Sequence, residues 1–571
     1  MIKMNTVVGV LLCALLPLAA QEAEIALPDV TTVVSGDTLT AGKDAVPDYS
    51  TVLPSDDTGK IELPQLEKAQ SPAAAPSVAA NGGTVSAGSA EKNVYAEGQI
   101  GGGYPFLFLG DFTVYRATGK APFNITFSHK SNETFADNKA SDGFFSRHTA
   151  VGAEKSLITE KSRNTFAASY NTDNYGLQSL STPFFDMVCH TISASEDSRF
   201  TFDNGWNIVF GASGNWYNRY GGVRQALTVT DEDGNELTFD VDDVRADTAL
   251  LDITPHAGFG WQNDVIDTGF RAQYTLQSNV GDGENFTDYD GTRFRNVSHR
   301  GEFGIFGDWK ASDYVTLHGS VGLVVGSAMG DSTVVPPFTL GADITIPYSE
   351  DSDAVALVSL AGGLQSEQAT VRALEKAYRF SYMSVMPAET SDWYGTAAVS
   401  VPVPLPAFDA FTVSGGATYR RTAFENGVWA PDYTARRDEA GLYWLESDER
   451  TDFLSTLGVR ADAGGVTYRA QWEAQWLDLP ALADRHSITL GASYEGARFS
   501  ASAYAREALG ASSDKTPEIG ASAAVRVSPT LRLALMLTDI VKLLANTTRS
   551  YAHSDYATES GSAALVAQFQ F

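Results

Sequence analysis

The 571-residue sequence has little cysteine, because it contains only Cys13 and Cys189. Cys13 lies inside an apolar stretch at the N-terminus, and removal of that stretch would leave Cys189 alone. A chain with one cysteine forms no intrachain disulfide, and it cannot build a thiolate metal cluster. Stability must therefore come from burial of apolar surface and from hydrogen bonding.

Positive charge is also scarce, since 40 Lys and Arg residues stand against 70 Asp and Glu residues, for a net charge of −30. Such a chain repels the phosphate backbone, so nucleic acid is excluded as a partner. Beyond the N-terminal stretch, no apolar run is long enough for a transmembrane helix. Two classes remain: a soluble secreted protein, and a membrane β-barrel, whose strands alternate apolar with polar residues.

Signals for metal, nucleotide or catalytic sites are missing too. The histidines show no close metal-ligand spacing, the acidic runs at 231–236 and 287–291 do not fit an EF-hand loop, and no Gly-rich phosphate loop opens a helix. His318 and Ser320 share a strand face and could suggest catalysis. Leu317 and Leu323 lie on the opposite face, which predicts instead that His318 and Ser320 face a lumen, away from lipid. We expect no enzyme activity, no cofactor and no metal.

Composition divides the chain into three parts. Residues 1–20 combine Lys3 with an apolar run from Val7 to Ala20, which is typical of a secretory signal peptide cleaved near Gln21. Residues 21–92 contain six prolines, Ala/Ser/Gly-rich runs and scarcely an aromatic residue. That composition cannot build a core and predicts a disordered, flexible periplasmic tether. Residues 93–571 are rich in Tyr, Phe, Trp and Gly and form the folded domain.

Apolar and polar side chains alternate through residues 206–217 (WNIVFGASGNWY). Trp206, Phe210 and Trp216 share one face of an extended chain, whereas Asn207 and Asn215 lie on the other. At a strand tilt of about 45°, the two tryptophans are roughly 23 Å apart along a membrane normal. That spacing matches the two aromatic girdles that border the apolar band of a membrane barrel, which is about 25 Å tall. The girdle candidates are Trp206, Trp216, Trp261, Trp309, Trp472 and Trp476.

The same pattern recurs in residues 466–476 (VTYRAQWEAQW) and in residues 251–261, 270–276, 302–310 and 411–420. A charge that faces hydrocarbon near mid-depth would cost roughly 2–4 kcal/mol, so charges on the polar faces should look inward. There they line a water-filled lumen, or brace the barrel wall as pairs. The candidates for lumen-lining residues are Arg271, Glu302, Lys310, Arg420, Arg460, Arg469, Glu473, Arg498 and Arg506.

Short and long connections alternate between these segments. Tight ones lie near residues 262–267, 310–313, 463–465, 495–497 and 528–530, whereas long acidic ones span 231–247, 278–296 and 425–450. This alternation is typical of a transmembrane antiparallel β-barrel with a periplasmic rim and an outer rim. The length predicts an all-β barrel of about 18–22 strands, and an even number. Residues 365–380 fit a strand, a loop or a short helix.

The C-terminus, residues 564–571 (ALVAQFQF), has the pattern of a last strand. Leu565, Ala567, Phe569 and Phe571 point to one face, and the residues between them point to the other. With this strand, residues 93–571 resemble the outer-membrane β-barrel superfamily. The resemblance implies that these four residues form the signal that the barrel-assembly machinery recognises, and that the strand closes on the first one.

The size and the long loops are most similar to the barrel of TonB-dependent transporters. Thr31, Thr32, Val33 and Val34 resemble the short motif through which those proteins engage TonB. The plug domain of that family exceeds a hundred residues, and the stretch from 21 to 92 is too short and too rich in proline to form one.

The sequence therefore predicts an integral protein of the bacterial outer membrane, in contact with outer-membrane lipid. We expect a channel for the uptake or diffusion of small solutes, narrowed by inward-folded loops or by the tether. The tether could instead bind a periplasmic partner. Two alternatives remain: a surface receptor or adhesin on an occluded barrel, and a TonB-linked receptor that works with a separate plug-bearing partner.

Overall fold

The computed structural model describes residues 94–117, 119–223, 228–230, 236–238, 248–280, 297–328, 331–347, 355–383, 385–424, 427–431, 433, 440–477, 484–510, 516–551 and 554–570. The predicted signal peptide and tether lie outside these residues, as do Thr31–Val34 and Phe571. The first described strand begins at Tyr95.

One large antiparallel sheet dominates the described residues and closes on itself, because the first strand pairs with the last. Its 22 strands are numbered here in chain order. They are β1 Tyr95–Tyr104, β2 Leu107–Arg116, β3 Phe123–Asn132, β4 Ser146–Ile158, β5 Ser162–Gly176, β6 Phe184–Thr201, β7 Trp206–Val223, β8 Thr248–Gln262, β9 Ile266–Asn279, β10 Val297–Ser312, β11 Val315–Ala328, β12 Asp331–Val335 with Phe338–Pro347, β13 Val355–Glu367, β14 Thr390–Pro402, β15 Ala410–Thr422, β16 Thr451–Ala463, β17 Val466–Gln475, β18 Asp484–Glu495, β19 Phe499–Gly510, β20 Glu518–Ser528, β21 Leu531–Thr538 and β22 Ser562–Gln570.

Strand β12 consists of two segments that both pair with β11, on either side of Pro336 and Pro337. Proline cannot donate to a sheet ladder, which explains the interruption. The number of strands is even and lies at the top of the predicted range, so the prediction of a large closed barrel is confirmed.

All long connections lie at one rim of the barrel. At the rim where β1 begins and β22 ends, the longest connections are residues 348–354 and 403–409. The opposite rim carries residues 224–247, 280–296, 368–389, 423–450 and 539–561. In outer-membrane barrels the short turns are periplasmic and the long loops are extracellular, so the chain enters β1 from the periplasmic side. The predicted alternation of connections is confirmed.

The outer face of the barrel is apolar and exposed. Leu340 is 67% exposed, Leu565 61% and Ile305 59%, although each is a residue that soluble proteins bury. An apolar outer face of this kind suits a hydrocarbon surrounding, and the closed sheet leaves no unpaired backbone edge there. Inward positions carry Ser, Thr, Asn, Gln and charged residues, as along β17, where Thr467, Arg469 and Gln471 alternate with outward Tyr468 and Ala470.

Two short helices, α1 (Val371–Ala377) and α2 (Ile540–Ala545), and a 3-10 turn at Ala140–Asp142 lie in the extracellular loops. Residues 365–380 thus finish β13 and then form α1. Short strand pairs outside the barrel join Ser381–Tyr382 and Val428–Pro431 to Tyr443–Asp448, and Arg549–Ser550 to Ala557–Thr558. A further pair joins Thr228–Thr230 to Glu236–Thr238. Within the described residues, no helix is both long and apolar enough to cross a bilayer.

Candidate functional site

Three loops pack against one another and against the wall at the extracellular end of the lumen. We call them the loop cap: residues 368–389, 423–450 and 539–561, as far as these are described. Their apolar side chains pack with inward residues of β5–β8 into the largest hydrophobic core among the described residues. The core includes Tyr175, Leu177, Met187, Cys189, Tyr217, Leu250, Val371, Leu374, Tyr378, Phe380, Met383, Met386, Leu442, Tyr443, Tyr551 and Tyr556. A membrane barrel with a polar lumen thus carries its apolar core at one mouth.

Helix α1 provides the deepest part of the loop cap. Thr370 caps its N-terminus, since the threonine side chain accepts a hydrogen bond from the Ala373 N–H at 3.0 Å. Val371, Leu374 and Glu375 lie on one face at helical spacing, and all three are buried. A carboxylate on the buried face of a helix requires partners, and the barrel wall supplies them.

Arg219 of β7 is the main partner of Glu375. The Arg219 side chain points inward because it alternates with outward Trp216 and Tyr220, and it is fully buried beneath α1. Its Nη1 lies 3.3 Å from Glu375 Oε1 and also donates to the Ser381 carbonyl oxygen at 2.6 Å. Its Nη2 donates to the hydroxyl of Tyr175 at 3.1 Å.

The Glu375 carboxylate accepts three further hydrogen bonds. They come from the Tyr217 hydroxyl at 3.0 Å, the Thr248 hydroxyl at 3.2 Å and the Met383 N–H at 3.3 Å. This number of donors compensates for the removal of the carboxylate from water. Since β7 and β13 stand six strands apart around the barrel, the loop that carries α1 reaches across the lumen.

Three further ion pairs bind the same loop. Arg379 Nη1 donates to Glu559 Oε1 at 2.9 Å, joining two loops of the cap. Arg300 of β10 donates to Glu389 at 3.1 Å and to Glu302 at 2.6 Å. The last pair joins Arg372 to Asp252 of β8 at 3.5 Å. The loop of α1 is therefore fastened to the wall at β7, β8 and β10.

Aromatic residues join the rest of the loop cap. The rings of Phe380 and Tyr556 stack with centroids 3.7 Å apart, and the Tyr551 ring meets Phe380 edge-on at 4.9 Å. The Tyr551 hydroxyl accepts from the Arg379 N–H at 3.0 Å. Burial raises the pKa of Tyr378, Tyr433 and Tyr551. These hydroxyls consequently remain protonated at physiological pH, and that of Tyr551 keeps its hydrogen bond with the Arg379 N–H.

Eight of the nine charges proposed for the lumen lie on strands, at positions that alternate with outward apolar residues. Glu302 pairs with Arg300, Lys310 with Asp313 at 3.1 Å and Arg460 with Asp462 at 3.2 Å. Glu473 accepts from Gln471 at 2.7 Å. The eight are Arg271, Glu302, Lys310, Arg420, Arg460, Arg469, Glu473 and Arg506. The ninth, Arg498, lies in the turn between β18 and β19. Its carbonyl oxygen accepts a hydrogen bond from the Arg526 N–H at 2.9 Å.

The six girdle candidates lie at two heights on the outward face. Trp206, Trp261 and Trp309 are at the periplasmic ends of β7, β8 and β10, where Trp206 stacks on Phe259 with centroids 4.6 Å apart. Trp216, Trp472 and Trp476 lie toward the extracellular rim. There the Trp476 ring is 6.1 Å from that of Trp472, and its Nε1 donates to Ser455 at 2.8 Å.

The described part of the proposed assembly signal forms the outward face of β22. In β1, Gly98 pairs with Phe569, Ile100 with Ala567 and Gly102 with Leu565. On the other side, Leu531, Leu533 and Leu535 of β21 face the same three residues. The inward Val566 is fully buried in a small cluster with Leu107, Ala524, Ala534 and Ala564. Closure of the barrel thus depends on the β1–β22 pairing.

His318 is already held by carboxylates. Its Nδ1 is 3.0 Å from Asp308 and its Nε2 is 2.8 Å from Asp343, so both ring nitrogens are engaged inside the lumen. Within the described part of the chain, no cluster of three metal-ligating side chains could hold a metal ion.

Sequence reasoning missed the residues of the loop cap, above all Arg219, Glu375, Arg379 and Glu559. The only available signal was the helix N-cap of Thr370, followed by apolar residues at helical spacing. It marks α1 but not the side on which α1 docks.

Closed barrels of this size, with an apolar outer face and a polar interior, are integral proteins of the bacterial outer membrane, and this chain is one of them. No family model matches the sequence, and no curated protein matches it.

Solved structures do match the fold. A point mutant of the ferric enterobactin receptor PfeA from Pseudomonas aeruginosa gives a TM-score of 0.56 at 9% identity, over 85% of this chain and 81% of that chain. The FrpB iron transporter from Neisseria meningitidis gives 0.59 at 10% identity, over 84% and 83%. The copper transporter OprC gives 0.57 at 10% identity, over 84% and 80%. At such identity the likeness shows the fold, which is the barrel type of TonB-dependent transporters.

Proposed function

We propose that the protein is a gated outer-membrane channel for the uptake of small hydrophilic solutes. A polar lumen of 22 strands provides the path, and the loop cap closes its extracellular mouth in the resting state. Solute passes only when the loop cap moves. The solved structures with this fold are described as iron and copper transporters or as a ferric enterobactin receptor, which supports a role in uptake.

The contact between Arg219 and Glu375 is the observation that carries the proposal. It fastens the loop between β13 and β14 to the wall at β7, six strands away, so residues of the chain itself project over part of the lumen. A diffusion pore needs no such contact. A receptor or a gated transporter does, because an open barrel of this diameter would leak.

Planar-bilayer conductance tests the proposal. We would compare the full-length protein with a variant in which a short Gly-Ser turn replaces residues 369–388, and with a variant that lacks residues 22–90. We expect small, infrequent currents from the full-length protein and large, stable currents after the loop is replaced. Absence of current from the loop variant, with normal folding, would refute the channel.

The second candidate is a surface receptor or adhesin on an occluded barrel. The packed aromatic core of the loop cap favours it, since a rigid extracellular surface suits ligand binding. In that case the protein would be displayed on cells and remain electrically silent after replacement of residues 369–388.

A third candidate is a TonB-linked receptor whose plug comes from another chain. The barrel type supports this reading, and Thr31–Val34 is the segment that would engage TonB. Affinity purification from membranes solubilised in mild detergent would recover a plug-bearing partner, whereas recovery of the barrel alone would argue against one.

We further propose that Leu565, Ala567, Phe569 and Phe571 are read by the barrel-assembly machinery, and that the two tryptophan belts contact lipid. Deletion of Phe571 should lower the amount of heat-modifiable protein in the outer membrane, without changing the amount of chain exported.

A further inference from the structure

Arginines face each other directly across neighbouring strands near the periplasmic rim of the lumen. Arg460 of β16 is in register with Arg469 of β17, and Arg526 of β20 is in register with Arg532 of β21. Like charges placed opposite each other on one face of a sheet are destabilising. Two such pairs within six adjacent strands concentrate positive charge at a position where an anionic group would relieve the repulsion.

The carboxylates of this sector do not balance the arginines. Asp462 pairs with Arg460, and Glu495 lies at the periplasmic end of β18. Arg532 donates to the Ser500 hydroxyl and is also attracted by Glu495, and Asp462 attracts Arg469 as well as Arg460. Two carboxylates thus serve four arginines, and among the described residues neither Arg469 nor Arg526 has a carboxylate oxygen within 4 Å. All four arginines remain at least partly exposed to the lumen. We call these residues, Arg460, Arg469, Arg526 and Arg532, the arginine wall.

An acidic segment of the same chain leads directly to this rim. Residues 44–67 include Asp44, Asp48, Asp56, Asp57, Glu62 and Glu67 against the single cation Lys60. The chain then continues to Tyr95, where β1 begins at the periplasmic rim next to β22, and β22 pairs with β21. At a strand spacing of about 4.8 Å, the arginines of β20 and β21 lie within roughly 15 Å of β1.

The connecting chain is long enough to reach the arginine wall. As a random coil, the 37 residues between Asp57 and Tyr95 would have an end-to-end distance of roughly 30–35 Å. Tethering also raises the effective concentration of the segment to the millimolar range, so that weak ion pairs suffice for binding.

We propose that residues 44–67 bind the arginine wall inside the periplasmic half of the lumen. The binding is electrostatic, so it weakens as salt screens the charges. It goes beyond the proposed uptake function, because the segment would occupy this wall whether or not solute passes through the barrel.

Limited trypsin digestion of the full-length protein in detergent tests the proposal. Mass spectrometry would measure the cleavage rates at Lys60 and Lys68. At low salt we expect slow cleavage, and at least about fivefold faster cleavage in R469Q/R526Q and in D56N/D57N/E62Q. High salt should remove the difference between these proteins. The matched control is R420Q, which removes an inward arginine toward the extracellular rim and should leave the rate unchanged.

Equal cleavage rates in the full-length protein and in R469Q/R526Q at low salt, with both proteins heat-modifiable, would overturn the proposal. So would a loss of anion preference in bilayer current without any change in cleavage, because the arginines would then serve a diffusing anion. The cleavage readout does not require that the barrel conducts, so failure of the proposed function, seen as absence of current after loop replacement, would be recognised separately.

Discussion

The guanidinium of Arg219 on β7 and the carboxylate of Glu375 on α1 meet at 3.3 Å, with both side chains fully buried. Arg219 belongs to the barrel wall, whereas Glu375 belongs to the loop between β13 and β14, which leaves the barrel about a quarter of its circumference away from β7. Burial of two charges is costly, and hydrogen bonds to the Glu375 carboxylate and from both terminal nitrogens of Arg219 offset that cost. Such a contact fixes one position of the loop, and loss of either partner should release it.

Replacement of Glu375 by Gln should therefore loosen the loop cap. An unpaired buried arginine costs roughly 3–5 kcal/mol, whereas exchange of both partners for apolar residues is often neutral. We expect faster hydrogen exchange in residues 371–383 and larger bilayer currents from E375Q, but near-normal behaviour from R219M/E375M. If the double variant were as open as E375Q, the effect would reflect lost packing rather than an unpaired charge.

Acid should open the loop cap through Glu559. Burial alone would raise the pKa of this carboxyl, but the Arg379 guanidinium, with Ser146 and Lys130, outweighs burial and holds the pKa below its ordinary value of 4.5. A carboxyl whose pKa is lower in the folded state than in the unfolded state stabilises the fold at pH values above its unfolded pKa. This stabilisation is lost as the pH falls through the folded pKa. Conductance should therefore rise as pH falls below about 4.5.

The control for this prediction is E559Q, which lacks the titrating group. Its conductance at neutral pH should already be raised, and its response to acid should be flattened. An acid response of the same size as in the unaltered protein would exclude Glu559 as the origin.

The barrel could be predicted because each strand carries its own alternation of apolar and polar residues, which indicates the face toward lipid and the face toward water. Between Trp206 and Trp216, a period of two separates lipid from water within one segment, without information from any other part of the chain. The alternation of tight turns and long loops is equally local. Strand ends are less well defined by sequence, and for this reason Arg498 was expected on a strand but lies in a turn.

The loop cap could not be predicted from the same patterns. Tyr217 and Glu375, which share a hydrogen bond, are 158 positions apart in the sequence. Their contact depends on the direction in which a long loop folds, and a period-two pattern carries no such information. A glutamate on a short helix is usually exposed to solvent, and nothing in the sequence around Glu375 indicates that its side chain is buried.

Gly103 should be required for closure of the barrel. A Cβ atom at this position of β1 would collide with the Ala563 carbonyl oxygen and lie 2.7 Å from the Ala564 Cα, both in the backbone of β22. Backbone cannot move aside without breaking the ladder between β1 and β22. We expect G103A to lower the fraction of heat-modifiable protein, measured by gel mobility before and after boiling. The matched variant is G395A, since nothing lies within 4 Å of a Cβ at Gly395, and it should fold normally.

Charge on β22 should be tolerated on one face only. Leu565 points outward near the middle of the strand and is 61% exposed, whereas Gln568 points inward, with its amide 3.4 Å from Gln99. Lysine in place of Leu565 would face hydrocarbon, which costs roughly 2–4 kcal/mol at mid-depth, while lysine in place of Gln568 would face water. Denaturant titration in lipid vesicles should therefore give L565K a free energy of unfolding lower by that amount and leave Q568K within about 1 kcal/mol of the unaltered protein. Equal losses in the two variants would mean that the two faces of β22 do not meet different solvents, and the assignment of lipid and lumen along the whole barrel would fail with it.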